Sequence, residues 1–103
     1  MSLNYPSIIS AAGSVVSGGA QLWAAGAAAA NGGVGITAIT LDEAADANAC
    51  AILVTERGGA APAADITFQV VHTSDTVKTV NCFEAGVAAD RAFDFVVLRA
   101  PLS

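Results

Sequence analysis

The chain has 103 residues, of which 54% are hydrophobic and only 13% charged, with a net charge of −5 at neutral pH and a pI near 4.3. That length fits one domain with a single core that needs no staples. The four basic residues, Arg57, Lys78, Arg91 and Arg99, are too few and too scattered to make a nucleic-acid surface.

Residues 1–41 carry no charged side chain, and all nine acidic and four basic residues follow them. A small monomer normally covers its surface with charge. A chain this short of it is expected to hide surface against something else. A signal peptide needs a basic leading region, and "SLNYPS" (2–7) has none. A membrane span needs about 20 predominantly apolar residues. Here Gly13, Gly18, Gly19, Gly26, Gly32, Gly33 and Gly35 break the run. Neither export nor membrane insertion is expected, and synthesis in a host cytoplasm is. "SIIS" (7–10) and "SVVS" (14–17) predict two short strand pieces. "AQLWAAGAAAAN" (20–31) has the alanines of a helix and a stop at Asn31-Gly32. Gly26 would cost that helix about 1 kcal/mol, and Leu22 and Trp23 have no apolar partner larger than Ala at i+3 or i+4. The prediction is a strand around Gln21–Ala24 followed by a small-residue loop. Residues 1–35 are thus an Ala/Gly/Ser-rich segment, strands or an arm, in one domain with a body over 36–103.

The strand signals are stronger in that body. "ITAITL" (36–41), "ACAILVTER" (49–57), "DITFQVVHT" (65–73), "TVKTVNCFE" (76–84) and "AFDFVVLRA" (92–100) are β-branched or alternating. Breaks at 42–48, 58–64 and 85–91 separate them. Short strands with turns every 8–12 residues indicate an all-β antiparallel sandwich. Residues 66–72 and 78–84 should form a hairpin. Of its two registers, the one pairing Phe68 with Cys82, Val70 with Val80 and Gln69 with Asn81 keeps polar groups off the core face, because a one-residue slip inverts every side chain. Cys50 and Cys82 lie in apolar strands and are expected to be reduced and largely buried.

No group of residues carries a recognisable chemistry. His72 is the one histidine and has no nearby ligand or carboxylate partner, so a surface or satisfied residue is expected. Asp42, Glu43 and Asp46 do not have the spacing of a calcium loop and read as a solvated turn. "NGGVG" (31–35) lacks the pattern of a phosphate loop, and no G-x-S-x-G surrounds Ser14 or Ser17. Arg91 with Asp90 and Asp94 reads as a surface ion-pair cluster. No enzyme, cofactor or metal is predicted.

"TVNCFEAGVAADRAFDFVVLRAP" (79–101) resembles the ending of immunoglobulin-like and related β-sandwich modules, where a strand leads through an "AG" turn into a strand of alternating aromatics. The resemblance places Phe93, Phe95 and Val97 inward. The Cys…Trp…Cys order of true immunoglobulin domains is missing, because Trp23 precedes both cysteines; the sandwich is immunoglobulin-like or jelly-roll-like. In length, acidity and Ala/Gly/Thr/Val-rich composition the whole chain resembles small virion proteins of tailed bacteriophages, in particular capsid decoration (cement) proteins. That resemblance implies a structural protein located in a virion, a homo-oligomer such as a trimer, with a major capsid protein or similar subunit as partner. It transfers no functional residue. The alternatives are a tail, neck or fibre component, or an exported adhesive or ligand-binding module. The expected interface residues are the large apolar ones of the uncharged stretch: Leu3, Tyr5, Ile8, Ile9, Leu22 and Trp23.

Overall fold

The computed structural model describes residues 9–16, 20–57 and 65–100. Among these the chain forms nine strands: β1 (Ile9–Val15), β2 (Gln21–Ala25), β3 (Ala27–Gly33), β4 (Ile36–Leu41), β5 (Cys50–Glu56), β6 (Ile66–His72), β7 (Val77–Glu84), β8 (Val87–Ala88) and β9 (Phe93–Arg99). One 3-10 turn, Ala47–Ala49, precedes β5 and is capped by the Asp46 side chain. Every strand pairing is antiparallel. A four-stranded sheet has the order β2-β1-β9-β5, and a five-stranded sheet the order β3-β4-β7-β6, with β8 paired to β7. The two sheets pack as a sandwich, as the strand spacing predicts.

The core lies between them. Val15, Phe93, Phe95 and Val97 of the first sheet meet Ile39, Leu41 and Val80 of the second, all essentially closed to solvent. Phe93, Phe95 and Val97 point inward, as the alternation along β9 requires. Phe68 of β6 meets Phe93 of β9 edge-on across the sandwich, with ring centroids 5.5 Å apart, a favoured aromatic geometry. The β6–β7 hairpin has the predicted register: Phe68 faces Cys82, Gln69 faces Asn81 and Val70 faces Val80.

Two expectations for the first third of the chain are corrected. Where the strand pieces expected at 7–10 and 14–17 are described there is one strand, β1, from Ile9 to Val15 between β2 and β9; residues 7, 8 and 17 lie outside the described residues. The small-residue loop expected after Ala24 is largely a strand: β3 pairs with β4 from Ala27↔Leu41 to Gly33↔Ile36. Alanine and glycine have little strand preference of their own. Here β4, with Ile36, Ile39 and Leu41, supplies the strand preference, and β3 follows through the ladder. Gly26 makes this possible. It takes φ +76° between β2 and β3, and a Cβ there would lie 2.5 Å from the Ser10 carbonyl oxygen. The chain turns at this residue from one sheet into the other. A smaller correction concerns 85–91, expected as a break, where Val87–Ala88 forms the short strand β8.

Candidate interaction surfaces

Alternation along each strand decides what the two broad outer faces present. On the four-stranded sheet, Trp23, Ser14, Asp94 and Thr55 form one cross-strand row. Ala25, Ala12, Val96 and Leu53 form the next, and Ile9, Leu98 and Ala51 the third. Ile9, Trp23 and Leu53 are respectively 62%, 49% and 58% exposed. Leu22, also exposed, is the unmatched residue where the β1–β2 register shifts between Ser14 and Val15. The outer rows of the five-stranded sheet are Ala28 and Thr40 with Val77, then Ala30, Ala38, Thr79 and Val71, then Ile36, Asn81 and Gln69, then Thr67, Phe83 and Ala88. No row of the five-stranded sheet carries a charge, and Asp94 is the one charged residue in those of the four-stranded sheet.

The charged side chains lie instead at the two ends of the sandwich. At one end are Glu56, Arg57, Asp65, Glu84, Asp90, Arg91 and Asp94. Arg57 meets Asp94 at 3.2 Å, and Arg91 meets Glu84 at 3.1 Å and Glu56 at 3.6 Å. Buried Ser14 donates to Asp94 at 2.5 Å and accepts from Arg57 at 3.2 Å. Asp90 accepts from the Gly35 amide at 2.8 Å. Of the cluster expected around Arg91, Asp94 pairs with Arg57 instead, and Arg91 itself reaches Glu56 and Glu84. At the other end are Asp42, Glu43, Asp46, Asp75, Lys78 and Arg99. Arg99 holds Glu43 and the Ala44 carbonyl. Both ends carry more acid than base. Pairs as exposed as Arg57 with Asp94 contribute little stability.

Lys78 is the residue whose place sequence reading missed. Its side chain is fully buried on the inner face of β7. The ammonium donates to the Ala45 carbonyl at 2.7 Å and to the Ser74 carbonyl at 2.8 Å. It thus ties the 42–49 connection, whose Ala45 is buried, to the β6–β7 turn. A buried ammonium is tolerated where carbonyls solvate it. The signal was present: in β7, Lys78, Val80 and Cys82 share one face. Directly opposite sits His72, half-buried, whose Nδ1 has no hydrogen-bond partner among the described residues. Expected as a surface or satisfied residue, it is neither fully exposed nor bonded at this nitrogen.

Of the expected interface residues, Leu3, Tyr5 and Ile8 lie outside the described residues. Ile9 and Trp23 both stand on the outer face of the four-stranded sheet, and Leu22 lies beside them on its edge strand. Leu53, which the sequence reading did not single out, joins them from β5. Both cysteines are free thiols; Cys82 is buried, but Cys50 is only half-buried. Asp42, Glu43 and Asp46 are exposed, and among the described residues no three of His, Cys, Asp and Glu converge as a metal site would require. Set against known proteins, the chain matches no family model, no curated protein and no solved structure.

Proposed function

We propose that the protein is a structural component of a symmetric particle, of the capsid-decoration type: a homo-oligomer whose work is to bind neighbouring shell subunits. One observation carries this reading. The charged side chains lie at the ends of the sandwich, while the outer face of the four-stranded sheet presents Ile9, Trp23, Leu53, Val96 and Leu98 with only the Arg57–Asp94 pair at its margin. A face of this kind can be buried without desolvating ions, the costly step in association. Contiguous exposed apolar surface is rare on soluble monomers and marks interaction sites. Each large side chain fully buried there would contribute roughly 1.5–3 kcal/mol. The resemblance in size and composition to phage decoration proteins supplies the kind of particle.

Size-exclusion chromatography with light scattering tests the oligomer, and co-sedimentation with empty phage shells tests the partner. The reading expects a defined oligomer that pellets with shells. Binding to isolated tails or fibres instead would favour the tail, neck or fibre alternative. A monomer that pellets with neither would overturn it.

A further inference from the structure

We propose that Gln21 guards the open edge of the five-stranded sheet against strand addition by a second copy of this chain. The edge strand is β3, which among the described residues pairs only with β4. The Leu41 amide donates to Thr76, away from β3. Its partner Ala27 must therefore aim its own backbone groups outward, and by alternation so must Ala29 and Asn31. The middle amide of these three is capped: Ala29 N–H donates to Gln21 Oε1 at 3.0 Å. Among the described residues, the other side-chain bond to a β3 amide is made within the strand, from Gly33 N–H to Asn31 Oδ1 at 2.9 Å, past the register shift at its end.

Natural edges are protected by lysine, proline, extreme shortness or a covering element. β3 reads AAAANGG, with no charge and no proline over seven residues. Among the described residues, the Gln21 amide is the one side chain from another strand bonded to this edge. It stands there because Gly26 turns β2 back beside β3.

The occupant that fits the uncapped edge is the same edge of a second copy. Strand addition needs an uncharged extended partner with small side chains, and β3 is itself one. Two β3 strands related by a two-fold axis at Ala29 would exchange the N–H and C=O of Ala29, the position Gln21 now fills. The charges at the sandwich ends stay in water. This route uses the sheet edge and does not depend on the face invoked for particle assembly.

The test is made in a Leu53→Lys background, which removes association through that face. Gln21→Met keeps the side-chain length and removes the acceptor, whereas Gln21→Glu keeps an acceptor oxygen. Sedimentation velocity should find the Leu53→Lys/Gln21→Met protein self-associating about tenfold more tightly than Leu53→Lys alone, the equivalent of about 1.4 kcal/mol. Leu53→Lys/Gln21→Glu should stay at the Leu53→Lys level. Equal association of the methionine variant and its background would overturn the proposal. If the methionine variant does not fold, hydrogen exchange of the Ala29 amide in the unaltered chain decides: slow exchange supports the cap, and exchange at the rate of an open amide contradicts it.

Discussion

Gly13 of β1 lies directly opposite Phe95 of β9, and the Phe95 ring fills the space a side chain at Gly13 would need. A Cβ at Gly13 would come within 2.7 Å of two ring atoms and of the Trp23 carbonyl oxygen. The glycine leaves room for Phe95, one of the two phenylalanines of β9, to lie over the middle of the sheet. Gly13→Ala should therefore destabilise the fold despite alanine's better backbone entropy, by about 1–3 kcal/mol as for other overpacked cores. Urea unfolding followed by circular dichroism measures this; an unchanged midpoint would contradict it.

Lys78 couples two connections at one end of the sandwich. Replacing it with methionine keeps the volume but leaves the Ala45 and Ser74 carbonyls without their donor. The expected loss is about 1–3 kcal/mol, with faster amide exchange around Ala45, whose own N–H donates to the Asp75 carbonyl at 2.8 Å. A methionine variant as stable as the parent would mean that the carbonyls find water at no cost.

The β7–β8 turn runs through Ala85 and Gly86, both with positive φ, +52° and +81°. Two such residues between paired Glu84 and Val87 make the mirror-image turn that suits a hairpin, for which Asn-Gly is the preferred pair. Alanine is strained in this conformation. Ala85→Asn should raise stability by about 1 kcal/mol, or about 4–8 °C in melting temperature for a domain of this size. No gain would mean that the strain is relieved elsewhere.

Burial pushes the Cys82 thiol above its ordinary value; Arg91 opposes this, while Glu56, Asp90 and Glu84 add to it. The folded chain keeps this proton at a pH where the unfolded chain has released it. The stability tied to the neutral thiol is thus intact below the ordinary thiol range and falls as pH rises through it. Stability should decline as pH rises through the ordinary thiol range, from roughly pH 8 upward, and Cys82→Ala should flatten that decline. Under native conditions an alkylating reagent should modify half-buried Cys50 before Cys82, and two thiols should be modified once the chain is denatured.

The sandwich was legible from Ile36 onward because β-branched and aromatic residues alternate there, and burial then dictates both strand identity and hairpin register. It was not legible at Ala27–Gly33, where pairing with β4 overrides composition. Lys78 was legible in part: alternation with Val80 and Cys82 puts it on the core face, but the Ala45 and Ser74 carbonyls that solvate its ammonium are brought together only by the fold. The lack of charge in the opening stretch was legible, but not that Ile9–Val15 forms an inner strand of a sheet with Ala11 and Val15 in the core. β1 lies between β2 and β9, so deleting residues 1–12 would remove half of a central strand. Single outer-face substitutions separate interface from fold more cleanly.

Trp23 is the one tryptophan in the chain and stands on the outer face of the four-stranded sheet, so its fluorescence reports directly on the surface at issue. The emission maximum is measured over a dilution series of the intact protein, with molar mass followed by light scattering. Burial of this face between subunits predicts a blue shift that appears together with a rise to a defined oligomer, and both are lost in Leu53→Lys. Emission of a water-exposed indole from a monomer at every concentration would contradict the account.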